Sequence, residues 1–195
     1  MTRIKMLEAG EFDSELRELV RADEKDPLAL GLMRIFAHRP EEAKAIARLG
    51  GALRQHRLLS DRLVELVRLR VAFFNQCRSC MAVRYSNAIA DGLTEDLVCS
   101  LENPDSSSEL SDAERAAVRY AGLFASDHLS ITDEMYDELR RHFSEEQIVE
   151  LGVQVAFFVG FGRLAATWNM VEELPTRFHG DGLRTPWGGD VVVMP

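Results

Sequence analysis

From Ser60 to Phe74 the chain reads SDRLVELVRLRVAFF, and from Ser144 to Phe158 it reads SEEQIVELGVQVAFF. In both, a polar start gives way to a long periodic apolar segment, the mark of a helix that packs against other elements. Ser144 with Gln147, and Ser111 with Glu114, fit the capping box, in which side chains satisfy the orphan amide donors of a helix start. The pattern predicts helices near 12–22, 27–37, 41–56, 60–75, 78–91, 94–101, 111–127, 132–143 and 145–173. Asn-Gly or Asp-Gly turns between alternating strands are absent from the body, so no hairpins are expected there. The resulting class is all-α.

The polar stretch LENPDSSSELS, residues 101–111, reads as a loop separating two helical halves, 1–101 and 111–174, of a single domain spanning 1–174. Residues 175–195, TRFHGDGLRTPWGGDVVVMP after Pro175, lack a core of their own. They are expected to lie across the body of their own chain or of a neighbouring subunit. The two opening segments share VEL and AFF, with one residue fewer between them in the second copy. An internal duplication is one explanation; the small alphabet of apolar helices is the other. Where the first copy carries two cysteines the second has Phe161 and Leu164, so thiol chemistry belongs to the first half.

Residues 151–171 approach the length of a membrane span, but Gln154, Arg163 and Asn169 interrupt them, and a buried helix is expected. The 195 residues suit one domain with a substantial core, and a composition 46% apolar and 28% charged is that of a globular protein. A net charge of -9 argues against a nucleic-acid partner, which would require a basic surface. The charged opening, MTRIKMLEAGEF, does not read as a secretory signal, so a cytoplasmic location is expected. In that compartment three cysteines do not form a structural disulfide framework, and any disulfide should be transient and chemical.

Cys77 and Cys80 form a C-x-x-C pair. Asn75-Gln76 is a plausible break between helices, which puts Cys77 at a helix start. There, free amides and the helix dipole stabilise a thiolate. The competing explanations are half of a metal site or simple packing, because free cysteine is among the most buried residue types. Metal is the weaker of these, since a structural zinc needs four ligands and His38, His56, His128, His142 and His179 are scattered. Cys99 has no partner nearby and reads as core.

Around the pair, Glu65 forms a polar stripe with Asp61 and Arg68 that continues toward Asn75 and Gln76. It is either a solvated or paired carboxylate or a proton acceptor for a thiol. Arg84, four residues after Cys80, would lie one turn along the same helical face and favour a thiolate without relaying protons. Its bland alternative is a surface arginine paired with Asp91 or a neighbouring chain. Tyr85 offers a phenol, although an aromatic at this spacing also suits a core.

Glu65, an eleven-residue gap, Cys77-Arg78-Ser79-Cys80 and the position one turn on resemble the alkylhydroperoxidase D-like proteins of the carboxymuconolactone decarboxylase family. The resemblance covers roughly residues 30–175 and is strongest over 58–92. It implies an alkylhydroperoxidase D-like helical bundle assembled as a homo-oligomer (dimer, trimer or hexamer), with no metal or organic cofactor. It implies a peroxide substrate and a dithiol or protein-thiol reductant. By the same resemblance Cys80 is the attacking thiol, Cys77 the resolving thiol and Glu65 the head of a proton relay. Two positions depart from the family: its usual histidine four residues after the second cysteine is Arg84 here, and Ser79 stands where some members have histidine. Ser79 can still donate a hydrogen bond to a thiolate.

Thiol-dependent hydroperoxide reduction is therefore the expected activity. A catalytically weak redox-responsive or structural oligomer is the alternative, and a decarboxylase-type enzyme, disfavoured by both thiols, is the third. GFGRLA, Gly160 to Ala165, fits a dinucleotide pattern but sits inside a helical run, where small residues permitting close helix packing are the better explanation.

Overall fold

The computed structural model describes residues 2–195. Its α-helices are α1 (Ser14–Leu19), α2 (Pro27–Leu30), α3 (Met33–Phe36), α4 (Pro40–Gln55), α5 (Asp61–Asn75), α6 (Arg78–Ala82), α7 (Ser86–Ala90), α8 (Glu95–Cys99), α9 (Asp112–Ser126), α10 (Asp133–Arg140) and α11 (Glu145–Trp168). Two three-residue strands, β1 (Val83–Tyr85) and β2 (Val192–Met194), pair in parallel. The class is all-α, as the patterning indicates.

The helix α5 is the centre of the fold. One side of it, Leu63, Val64, Val67 and Val71, packs against Ala117 and Ala121 of α9 and Leu151 and Val155 of α11. Its other side, Leu66 and Leu69, packs against Leu97 and Val98 of α8 and Val118 of α9. Fully burying one such aliphatic side chain contributes about 1.5–3 kcal/mol. Because α5 is surrounded, its polar positions Glu65, Arg68 and Asn75 are buried as well, and each must find a partner inside the protein. Ser60 caps the helix by accepting from the Leu63 amide, and the boxes Ser111/Glu114 and Ser144/Gln147 close α9 and α11 as the sequence indicates.

The α5–α11 contact is close at one point. A Cβ on Gly162 would come within 2.5 Å of the Asn75 side-chain nitrogen. Asn75 donates to the Phe158 and Val159 carbonyls of α11 and accepts from Arg163 Nε at 3.1 Å. Gly160 to Ala165 therefore lie inside a helix, and Gly162 admits the neighbouring helix.

Several boundaries differ from the sequence pattern. The expected helix 27–37 is interrupted at Gly31, whose φ of +49° leaves the helical region. The helix expected over 145–173 ends at Trp168, where Asn169 takes the left-handed C-cap (φ +57°) to which asparagine is suited. It is also not buried all round. Val149, Val153 and Leu164 open to solvent, and only 39% of its most apolar window is buried. The helix expected over 78–91 is cut by β1. Arginine side chains from outside α6 take its terminal carbonyls, and Val83–Tyr85 pairs with the tail in the register Val83↔Val192, Arg84↔Val193, Tyr85↔Met194.

Residues 175–195 lie across their own chain. Phe178 is fully buried among Ala72, Met81 and Ala82, and Trp187 packs on Phe73 with ring centroids 5.1 Å apart. Gln76 and Arg184 exchange two hydrogen bonds.

Candidate functional site

Gln76 ends α5 in the left-handed region, φ +50°, and turns the chain so that Cys77 becomes the N-cap of α6. Cys80 falls in the first turn of that helix. The two are joined by a disulfide across a Cα–Cα distance of 5.2 Å, within the range a disulfide spans without backbone movement. The Cys80 amide donates to Cys77 Sγ at 3.3 Å. Ser79 Oγ lies 3.6 Å from the same sulfur and is the donor, because a disulfide sulfur carries no proton.

The two sulfurs have different surroundings. Cys77 is sealed, packed with Ile35, Ala165 and Met170. Cys80 is half-buried and packs against two clusters, one holding Val171 and Phe178 and the other Ile35 and Met170. Ile35 of α3 shares a cluster with Cys77, and Leu28 of α2 packs against the same cluster as Cys80.

Beneath it lies an ion pair. Arg68 Nε and Nη2 donate to the two oxygens of Glu65, each at 2.7 Å, the fork-on-carboxylate geometry that makes such pairs strong. The same guanidinium donates from Nη1 to the Cys80 carbonyl at 2.5 Å and from Nη2 to the Val83 carbonyl at 2.8 Å. Burial pulls the Arg68 guanidinium toward deprotonation, but the Glu65 carboxylate outweighs it and holds Arg68 above its usual value. Glu65, Arg68 and the Cys80 backbone are consequently one hydrogen-bonded unit. Tyr85 is not core: it is exposed, with its ring under Arg68, whose guanidinium carbon is 5.2 Å from the centroid.

Arg84 is neither a surface residue nor one helical turn beyond Cys80. The helix α6 stops at Ala82, Arg84 stands in β1, and it is only 1% exposed. Its guanidinium is committed to Glu95 (2.8 and 3.1 Å), to the Met81 and Val83 carbonyls (2.9 and 3.0 Å) and to the Pro186 carbonyl. It ties the end of α6 to α8 and the tail. Asp91, the alternative partner, instead accepts from the Arg62 amide at the start of α5. Cys99 is likewise exposed rather than core, because it ends α8 on the side opposite the buried Leu97 and Val98.

The structure adds two residues to the sequence-derived set. Arg68 was visible only as one member of a polar stripe; its three-residue spacing from Glu65 was the available signal. Arg78, between the cysteines, reaches the tail carbonyls of Phe178, His179 and Gly182, which no local pattern announces. No group of three or more histidine, cysteine, aspartate or glutamate side chains able to hold a metal is found among the described residues.

Comparison with known proteins bears on the fold. Residues 40–122 match the carboxymuconolactone decarboxylase family. An uncharacterized protein of Mycobacterium tuberculosis is 35% identical over 102 residues, 51% of this chain and 35% of that protein. The matched stretch thus spans about a third of that relative. Among solved structures, an uncharacterized peroxidase-related protein of Ralstonia eutropha, described as an alkylhydroperoxidase AhpD core, superposes with a TM-score of 0.73 at 19% identity, covering 91% of this chain and 94% of its own. A protein of unknown function from Agrobacterium tumefaciens, assigned to antioxidant defence of the AhpD type, gives 0.61 at 24% identity, covering 72% and 97%. At such identities these structures speak for the fold alone. Residues 40–122 thus resemble the carboxymuconolactone decarboxylase family, and the chain as a whole has the helical fold of the AhpD-like structures.

Proposed function

We propose that the protein reduces hydroperoxides with Cys77 and Cys80 and is returned to the dithiol form by a small dithiol or a protein thiol. The observation that carries this reading is the disulfide itself: two cysteines at a helix entry, one sealed and one reachable. In the cycle, the Cys80 thiolate attacks one oxygen of the O–O bond, and the other oxygen leaves as an alcohol after taking a proton. Cys80 becomes a sulfenic acid. The Cys77 thiol then attacks that sulfur and water leaves, forming the disulfide. Two reductant thiols supply the two electrons and two protons that regenerate the pair. The half-buried sulfur suits the attacking role and the sealed one the resolving role.

Within this reading Ser79 stabilises the Cys77 side by its hydrogen bond. The Glu65–Arg68 pair fixes the backbone that presents Cys80, and Tyr85 covers Arg68 from solvent. Arg84 acts as scaffold. Assembly into a homo-oligomer is part of the same proposal. It is supported by the open face of α11, where Val149 is 65% and Val153 42% exposed, since contiguous exposed apolar patches mark interaction surfaces.

A specific observation favours the slower alternative. Both Glu65 oxygens accept from Arg68, and Arg84, standing where the resembled family usually has histidine, is committed to Glu95 and backbone carbonyls. A redox-responsive protein would form the disulfide with oxidant but turn over slowly. Steady-state peroxide consumption with dithiothreitol separates the two. Turnover lost in Cys80→Ser, with a trapped sulfenic acid in Cys77→Ser, supports the peroxidase; stoichiometric oxidation without turnover supports the alternative.

A further inference from the structure

We propose that a cleft beside the disulfide binds the carboxylate of a small organic redox partner, either the thiol reductant or the hydroperoxide. This rests on the thiol-redox reading and adds the chemical class of the ligand. The cleft, about 340 Å³, lies between the C-terminal end of α11 and the tail, in the lower range of small-molecule sites.

Its floor is apolar and shared with the disulfide. Ala165 and Met170 line the cleft and also pack on Cys77, while Val171 lines it and belongs to the cluster around Cys80. Its polar side carries two guanidinium groups, Arg3 and Arg78. Arg78 directly follows Cys77 and is held by the carbonyls of Phe178 (3.1 Å), His179 (3.2 Å) and Gly182 (3.3 Å). Arg3 donates to the Thr167 carbonyl at 2.6 Å.

Carbonyls orient a guanidinium but do not neutralise it. The buried arginines have carboxylates, Arg34 with Glu8 and Glu173, Arg68 with Glu65 and Arg84 with Glu95, whereas Arg78 is half-buried and Arg3 exposed. Arg3 and Arg78 have only carbonyls among the described residues, and both line a cleft whose one acidic side chain is Asp181 and whose one histidine is His179. Two positive charges against one, in a chain of net charge -9, make this a local anion site. The planar fork of arginine matches a carboxylate, and a fork already held in place loses little freedom on binding. An anionic head on the arginines with an apolar body along Ala165, Met170 and Val171 places the ligand's far end toward the half-buried Cys80.

The test has a binding arm and a kinetic arm, both on the full chain. In the first, calorimetry on the oxidised protein compares 3-phenylpropionate with 3-phenylpropanamide. The carboxylate binds and the amide does not; Arg78→Gln and Arg3→Gln each weaken binding by about tenfold, the loss of one charge-assisted hydrogen bond. Arg78→Lys retains part of the affinity, and amide exchange in Val83–Tyr85, which pairs with the tail strand β2, reports whether the tail stays docked in each variant. In the second, disulfide reduction by 3-mercaptopropionate is compared with that by 3-mercaptopropionamide, each rate divided by its rate with hydroxyethyl disulfide. Carboxylate-bearing and neutral hydroperoxides are compared in the same way.

A carboxylate preference abolished by Arg78→Gln and Arg3→Gln supports the site, and the arm in which it appears names the source. Equal binding of acid and amide, or binding unchanged by both substitutions, overturns it. Peroxide turnover with no such preference removes this site and leaves the peroxidase reading standing; carboxylate binding without peroxide turnover does the reverse.

Discussion

Replacing Arg68 with methionine removes the guanidinium that Glu65 and the Cys80 and Val83 carbonyls share. Glu65 is 2% exposed and Arg68 8% exposed, so the stranded carboxylate gains almost no water. Breaking one side of such a buried pair costs about 3–5 kcal/mol. For a chain of this size each kcal/mol lowers Tm by about 2–4 °C, so Arg68→Met should lower it by roughly 6–20 °C. Removing the carboxylate too should restore part of the loss: in Glu65→Leu/Arg68→Met no charge is left buried, and the residual cost is that of carbonyls without donors, about 1–3 kcal/mol each. Thermal unfolding followed by circular dichroism on the two variants and the parent measures this. A drop of less than 2 °C in Arg68→Met, or a double variant less stable than the single one, would refute the linkage of the ion pair to the cysteine helix.

Phe178→Ala should cost about 3–5 kcal/mol, because a fully buried phenylalanine anchors the tail. It should also raise amide exchange in Val83–Tyr85; unchanged exchange there would show that β2 holds without it. Gly162→Ala drives a methyl into Asn75 and should cost about 1–3 kcal/mol by chemical denaturation, whereas Gly160→Ala, inside α11 with open space around it, should stabilise by up to about 1 kcal/mol through helix propensity. Burial pushes the Glu172 carboxyl up, but hydrogen bonds from Thr2 and the Val171 amide overcome it and hold the group at about 2. Because the folded value is depressed, its contribution is complete above the unfolded value near ~4.3 and fades as pH falls through about 2. The N-terminal segment should loosen in that window, and an NMR titration of Glu172 with a midpoint near 4.3 would contradict it.

The helices that could be read from sequence were those whose ends are written locally. Ser60, Ser111 and Ser144 are caps whose partners lie three residues away, and α5, α9 and α11 start where those serines place them. The missed boundaries have distant causes. The helix α6 ends early because Arg68, from the preceding helix, takes its carbonyl and because the tail, a hundred residues on, supplies β2. At the site, the spacing of Glu65, Cys77 and Cys80 marked the thiol pair. The same spacing gave Arg84 a place beside the thiols only on the assumption of a continuous helix, which β1 breaks. Apolar character suggests a buried Cys99 and a buried outer face of α11, but apolar composition does not say which face meets the protein.

Peroxide consumption in the presence of excess dithiothreitol is the most direct measurement. The parent protein should oxidise one dithiol per peroxide through many turnovers, and Cys80→Ser should lose that activity entirely. A Cys80→Ser protein that turns over peroxide as fast as the parent would contradict the assignment of the attacking sulfur, and a parent that stops after a single equivalent would contradict catalysis itself.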